Sequence, residues 1–211
     1  SPTHRMTHAT RENFDNLCDR FGVSHALARS TFADLLSRYS EPHRCYHDIA
    51  HIDRLLGWLD ECGCGGDAIE LAIWFHDAVY DSAARDNEAR SALLFRTMLG
   101  GSLPAGLVED VERLIRATDP ARPRSNRPDE ELLIDIDRAI LGAGPDDYEE
   151  YCAGVRAEYS HVPDAAFAAG RSAVLREILR DAPLFRTAFF ASREERARSN
   201  LERELARWES R

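Results

Sequence analysis

The sequence predicts an all-α protein, and three observations lead to this fold class. Apolar residues recur at the i, i+3 and i+4 spacing of a helix that buries one face. Clusters of glycine and proline separate these segments. No segment shows the alternation with β-branched residues that is typical of a strand. Because the 211 residues contain no internal repeat and no long linker, we expect a single helical-bundle domain over residues 1–211.

The predicted helices follow one another from His25 to Trp208. Ser24 is a typical N-cap residue and places the first helix start at His25. Two later helices open after Pro104 and Pro163, because proline is tolerated where a helix begins. The segment 118–129 contains three prolines and is predicted to be a loop. The predicted helices span 25–39, 47–61, 67–80, 86–99, 105–118, 130–142, 146–162, 164–181 and 192–208.

The charge composition argues against a nucleic-acid-binding protein. The formal net charge is −10, whereas binding to phosphate backbones relies on an excess of basic residues. A small anionic ligand needs only a local cluster of basic side chains. The chain has no lysine, so every basic side chain other than histidine is an arginine. No stretch approaches the roughly 20 apolar residues of a membrane span. The composition is therefore compatible with a small anionic ligand and predicts no membrane span; the sequence gives no indication of oligomeric state.

Five cysteines are present, an odd number with no disulfide framework in their spacing. Reduced thiols are typical of the cytosol, so a cytoplasmic location is expected. The pair Cys62 and Cys64 lies in the sequence "CGCGG" and lacks the second cysteine pair of a structural zinc site. The favoured interpretation is a glycine-rich loop with free thiols.

Candidate metal ligands interrupt three otherwise apolar segments. His47 and His51 are four residues apart, which would place both imidazoles on one helix face. His76 and Asp77 end the apolar run "IELAIWF". Buried imidazole and carboxylate groups are costly unless they are paired or bind a cation. The third segment, "LLIDIDRAILG", carries Asp137 and a second acid, Asp135, among aliphatic residues.

The order His51, His76-Asp77 and Asp137 resembles the HD superfamily of metal-dependent phosphohydrolases. The stretches "YHDIAHI", "WFHDAVYD" and "DIDRAILG" resemble a little-characterised bacterial subgroup of predicted HD phosphohydrolases. The resemblance spans about residues 44–142, with C-terminal helices over 145–208. Asp48 stands where the subgroup pattern has Asn.

The resemblance implies an all-α core in which His51, His76, Asp77 and Asp137 bind one divalent metal ion. His51 is preferred to His47 as the first ligand because an apolar residue, Leu55, lies four positions further on. Asp135 is then expected to orient a ligating histidine. No histidine occurs between His76 and His161, which indicates a mononuclear site, although Asp119 could support a second ion.

Two histidines and two carboxylates suit Mn, Fe, Co, Ni or Zn better than Mg. Such an ion lowers the pKa of a bound water and polarises a phosphoryl oxygen. Asp81, one helical turn beyond Asp77, and Glu88 are candidates for proton transfer, with His47 as a further candidate. Candidates for binding phosphate are Arg44, Arg138 and Arg156.

The leading prediction is therefore a metal-dependent phosphohydrolase acting on a small phosphoester, possibly a nucleotide. The alternative is a non-catalytic sensor that binds a nucleotide or a metal and serves a partner. A zinc-peptidase interpretation of "HDIAH" is disfavoured, because that motif requires Glu as its general base. The ligand types do not define the substrate.

Overall fold

The computed structural model describes residues 6–210, and within them every regular element is a helix and none is a strand. The α-helices are α1 (Arg11–Asp19), α2 (His25–Tyr39), α3 (Ile49–Cys62), α4 (Asp67–Phe75), α5 (Asn87–Leu99), α6 (Ala105–Ala117), α7 (Pro128–Arg138), α8 (Pro145–Glu158), α9 (Asp164–Arg180) and α10 (Glu194–Glu209). Short 3-10 helices cover Ala139–Gly142 and Ala191–Arg193. The all-α prediction is confirmed. None of these helices has the length and apolar composition that crossing a bilayer requires.

The helices group into two compact units, one ending at Leu133 and one beginning at Ile134, so α7 contributes to both. The prediction of one domain over the whole chain therefore stays a prediction. In the first unit, α4 packs against α3, α5 and α6. All residues of α4 from Leu71 to Phe75 are buried. The Trp74 ring meets Phe14 of α1 edge-on at a centroid distance of 5.1 Å.

The first helix, α1, is absent from the predicted set. Thr10 caps it by accepting a hydrogen bond from the Asn13 N–H at 3.2 Å. Its buried residues are Phe14, Leu17 and Cys18, which follow the i, i+3, i+4 spacing. The periodic signal was thus present, but it spans only nine residues.

Helix α3 begins later than predicted. Its N-cap is Asp48, whose carboxylate accepts a hydrogen bond from the His51 N–H at 3.1 Å. His47 therefore precedes the helix, and the prediction that His47 and His51 share a helix face is wrong. Asp and Asn cap helices about equally well, so the Asp at position 48 retains this capping role.

Helix α4 ends earlier than predicted, with His76 as its C-cap residue. After His76, backbone N–H and carbonyl groups form hydrogen bonds with side chains from other parts of the first unit. Arg44 donates to the carbonyls of Asp77 and Ala78 at 2.7 and 3.1 Å, and the Ser91 hydroxyl accepts from the Val79 N–H at 3.0 Å. These bonds replace the helical ones. The prediction of a helix through Tyr80 is wrong for this reason.

The second unit is built around a buried carboxylate on α10. Glu204 accepts hydrogen bonds from the Tyr148 hydroxyl at 2.6 Å, from Arg171 Nε at 2.8 Å and from Trp208 Nε1 at 3.1 Å. These contacts join α8, α9 and α10. Asn200 of α10 also donates to the carbonyls of Leu141 and Ala143. The C-terminal helices predicted over 145–208 are thus present and mutually connected.

Candidate metal centre

Three side chains of the first unit bring one donor atom each to a common point. The His51 and His76 Nε2 atoms are 3.4 Å apart. Asp77 Oδ2 lies 3.0 Å from His76 Nε2 and 3.6 Å from His51 Nε2. Both histidines are almost fully buried, with 1% and 2% exposure, while the Asp77 side chain is 15% exposed. The group therefore lies inside the unit with an opening on the carboxylate side.

These three distances fit a metal ion. Metal–nitrogen and metal–oxygen bonds of about 2.0–2.2 Å, at angles between octahedral and tetrahedral, separate neighbouring donors by roughly 2.9–3.4 Å. Two of the observed separations, 3.0 and 3.4 Å, fall within that range, and the third, 3.6 Å, lies just above it. His51, His76 and Asp77 also form the one group of three or more potential ligands found within residues 6–210. The donor set is therefore suited to a divalent transition metal.

The backbone of α4 fixes which nitrogen of His76 can act as a ligand. His76 Nδ1 lies 2.9 Å from the Ile73 carbonyl oxygen, which can only accept a hydrogen bond. Nδ1 therefore carries the proton, and in the neutral ring Nε2 presents its lone pair towards His51 and Asp77. A hydrogen bond of this kind to the non-ligating nitrogen is common at metal-binding histidines.

The charge state of Asp77 is also suited to a cation. Burial by itself raises the pKa of this carboxyl group, but when the His76 ring is protonated its charge and hydrogen bond, with the charges of His47 and His51, outweigh burial and lower the pKa overall. Asp77 is therefore ionised at neutral pH. A carboxylate and two imidazoles that share one point need a cation there, either a proton or a metal ion.

Aromatic rings form one wall of the site. The His47 ring stacks on Tyr80 at a centroid distance of 4.4 Å and lies 5.6 Å from the His51 ring. The Tyr46 ring is 5.0 Å from the His51 ring. His47 is therefore beside the ligand group although it precedes α3. Its predicted role in proton transfer stays a prediction.

Arg44, a predicted phosphate ligand, is occupied by the protein itself. Its side chain is buried and donates to the Glu41 carboxylate at 3.0 Å and to the carbonyls of His47, Asp77 and Ala78. Four of its five N–H groups are thereby used. Arg44 ties the segment before α3 to the segment after α4. This position favours a role in fixing the ligand-bearing backbone over direct contact with phosphate.

Glu88 lies in the first turn of α5 and is half-buried. Burial raises the pKa of its carboxyl group, and the negative charges of Asp119 and Asp77 raise it further, against opposing contributions from its own backbone N–H and from His76. These interactions place Glu88 close to the ligand group. A carboxyl group that keeps its proton to a higher pH than usual suits general acid catalysis.

Asp81 lies in the exposed loop between α4 and α5. Its carboxylate accepts a hydrogen bond from the Ala83 N–H at 2.9 Å, and its backbone is held by both ends of the Asn87 amide. The argument that Asp81 lies one helical turn beyond Asp77 is wrong, because α4 ends at Phe75. Its role in proton transfer stays a prediction.

The remaining predicted residues belong to the second unit. Asp137, the predicted fourth ligand, lies in the last turn of α7, and its ligation stays a prediction. Asp135 is fully buried and accepts hydrogen bonds from the N–H groups of Arg186 and Thr187 at 2.9 and 2.7 Å. That contact anchors the segment before α10, and the expected orientation of a histidine by Asp135 stays a prediction.

The two other predicted phosphate-binding arginines have partners within the second unit. Arg138 donates to the Asp181 carboxylate at 2.5 Å. Arg156 donates to the carbonyls of Tyr159 and Val162 and to Asp164, across the turn between α8 and α9. Binding of phosphate by either residue would compete with these bonds. The role of both residues in substrate binding stays a prediction.

Arg54 on α3 is the arginine near the site that sequence analysis missed. Its guanidinium lies over the Tyr46 ring, 5.3 Å from the centroid, and Tyr46 in turn contacts His51. Arg54 is half-buried and makes no ion pair with any residue in 6–210. Its spacing of three residues from His51 was a usable signal, since i and i+3 share a helix face.

The site thus combines the buried group of His51, His76 and Asp77 with two further side chains. These are the half-buried carboxyl group of Glu88 and the guanidinium of Arg54, which lies over the Tyr46 ring. No protein-family model, no curated protein and no solved structure matches the chain.

Proposed function

We propose that this protein is a metal-dependent phosphohydrolase of the HD type that acts on a small phosphoester such as a nucleotide. The observation that carries the proposal is the convergence of His51 Nε2, His76 Nε2 and Asp77 Oδ2 within 3.0–3.6 Å in a buried position. Asp137 is proposed as the fourth ligand from the resemblance of "DIDRAILG" to the third HD motif.

When bound, a divalent ion here supplies an activated water and a Lewis acid for a phosphoryl oxygen. Mn, Fe, Co, Ni and Zn suit two imidazoles and carboxylates better than Mg does. The chain holds these donors ready because the Ile73 carbonyl orients His76 and Arg44 fixes the backbone of Asp77. Little rearrangement of the three ligands is then required on binding.

Proton transfer is assigned to Glu88. Its raised pKa, caused first by burial and then by Asp119 and Asp77, favours the protonated form that a leaving alkoxide requires. His47 is the second candidate, since it lies beside His51 and stacks on Tyr80. Asp81 ranks third because its carboxylate already accepts a hydrogen bond in an exposed turn.

Recognition of the substrate's anionic group is assigned to Arg54. The Tyr46 ring separates its guanidinium from the His51 ring, so the two groups are at most about 10 Å apart. That span suits a phosphorylated molecule whose reacting phosphate lies at the ligand group. Guanidinium groups bind phosphate oxygens in bidentate fashion.

The test is hydrolysis of a panel of phosphoesters by protein stripped of metal and then loaded in turn with Mn²⁺, Co²⁺, Ni²⁺, Zn²⁺ or Mg²⁺. We expect turnover that depends on a transition metal and is lost in Asp77→Ala. Asp60→Ala is the matched control, because it removes an exposed carboxylate from α3. Wild-type protein that takes up no metal by elemental analysis would contradict the proposal.

A metal-loaded protein that binds nucleotides without hydrolysing any phosphoester would instead support the sensor alternative. In that case Asp77→Ala would abolish metal uptake, and neither wild type nor any variant would show a measurable rate of hydrolysis. We propose a cytoplasmic location from the reduced cysteines, and no nucleic-acid partner because of the net charge of −10.

A further inference from the structure

The glycine-rich loop between α3 and α4 holds two cysteines whose sulfur atoms nearly touch. Cys64 Sγ lies 3.1 Å from Cys62 Sγ, which is about 1 Å longer than a disulfide bond. Cys64 is exposed and Cys62 is half-buried, with its thiol directed at the Leu59 carbonyl at 3.2 Å. The two thiols therefore face each other and are accessible from solvent.

The backbone of this loop allows the two sulfurs to approach further. Gly63, between the two cysteines, is the C-cap of α3 and has a φ of 59°, a left-handed conformation that glycine adopts without strain. Gly65 and Gly66 follow immediately. Gly65 packs closely against the Leu59 side chain, whereas Gly63 and Gly66 have open space around them, so closing a bond over about 1 Å needs only small rotations on either side of Gly63.

We propose that Cys62 and Cys64 form a thiol–disulfide exchange site that becomes an intramolecular disulfide when it meets a low-molecular-weight disulfide. The partner chemistry is a disulfide of the glutathione type, small enough to reach the exposed loop. This site is separate from the candidate metal centre, and its proposal does not rest on the proposed function.

The reaction balances as two successive exchanges. The thiolate of one cysteine attacks a sulfur of the small disulfide, which forms a mixed disulfide and expels one small thiolate. The second cysteine, as its thiolate, attacks the protein-side sulfur of the mixed disulfide and expels the other small thiolate. Two protein thiols are oxidised, one small disulfide is reduced to two thiols, and the two protons pass to the leaving groups.

The test is incubation of the reduced full chain with oxidised glutathione, quenching by alkylation, and mass spectrometry of tryptic peptides. Cleavage after Arg44, Arg54 and Arg85 places Cys45 on one peptide and the pair on another. We expect the pair's peptide to lose two hydrogens without adding glutathione. Cys45 is exposed and serves as an internal control that forms only a mixed disulfide.

Single variants complete the test. Cys62→Ser and Cys64→Ser should each stop at a stable glutathione adduct on the remaining cysteine. Circular dichroism would verify that both variants keep the helical fold. The proposal is overturned if the wild-type pair stays reduced or retains glutathione adducts while Cys45 reacts.

Discussion

At the residue scale, Glu88 and Asp81 are the two carboxylates predicted to transfer a proton, and the structure distinguishes them. Glu88 is half-buried and has a raised pKa, whereas Asp81 is exposed. We expect Glu88→Gln to lower turnover by ~10²-fold or more, with metal content unchanged, and Asp81→Asn to have the smaller effect. Steady-state kinetics with elemental analysis would check this. Equal, full turnover in both variants would assign the proton to His47 or to solvent.

Glu88→Gln is expected to lower turnover but to raise the stability of the folded protein. Because burial raises the folded-state pKa of Glu88 above its unfolded value, ionising the group disfavours the folded state as the pH rises past roughly 4.3. Glu88→Gln removes this penalty. The metal-free variant should therefore melt at a higher temperature than wild type at pH 7, and the two should converge below about pH 4.

Arg54 gives a second prediction at this scale. Loss of a charge-assisted contact to phosphate costs about 1.5–3 kcal/mol, which corresponds to a roughly 10- to 150-fold increase in KM. We expect this increase in Arg54→Ala, with kcat and metal content little changed. Arg29→Ala is the control, since Arg29 is exposed on α2 and also lacks an ion pair within residues 6–210. An unchanged KM would remove Arg54 from the substrate site.

At the element scale, the helix ends show what the sequence could and could not predict. The start of α2 was readable because Ser24 caps it locally, through a bond to the Leu27 N–H. The end of α4 was not, because no glycine or proline marks it. It depends on Arg44 and Ser91, which come from distant parts of the chain and satisfy the backbone after Phe75.

The candidate site follows the same division. Residue types and apolar surroundings marked His76 and Asp77, and the resemblance to the HD pattern selected His51 over His47; the structure brings the three side chains together. The roles of Arg44 and Arg54 depend on which partners each guanidinium has, and sequence spacing carries little of that information. The helical argument for Asp81 is wrong because α4 ends at Phe75, six residues before Asp81.

The buried Glu204 carboxylate on α10 yields a prediction about the stability of the second unit. The Glu204 side chain is 2% exposed and pairs with Arg171, so removing it leaves a buried cation without its partner. We expect Glu204→Ala to destabilise the protein by about 3–5 kcal/mol, measured by chemical denaturation. Glu149→Ala is the control, because its pair with Arg207 is exposed and should contribute less than about 1 kcal/mol.

At the scale of the whole molecule, metal binding should appear as stability. A ligand at 100 times its dissociation constant stabilises the folded state by about 2.7 kcal/mol, or roughly 5–10 °C for a chain of this size. We expect one equivalent of ion per chain and a melting temperature that rises with transition metals in wild type but not in Asp77→Ala. Two equivalents at full occupancy would replace the mononuclear site with a binuclear one that uses His47 and Asp119.

The burial of α4 has a consequence for the timescale on which the ligand group can open. From Leu71 to Phe75 no residue of this helix is exposed, and the His76 N–H is bonded to the Ala72 carbonyl at 2.8 Å. We therefore expect its amides to exchange with deuterium mainly through large-scale unfolding, and those of the exposed 80–86 loop through local fluctuations. Hydrogen-exchange mass spectrometry should therefore find α4 among the slowest segments even without metal. The imidazole of His76 would then be held on a rigid helix. Exchange of the bound ion would depend on motion of the opposite side of the site, which is formed by Tyr46, His47 and the 80–86 loop.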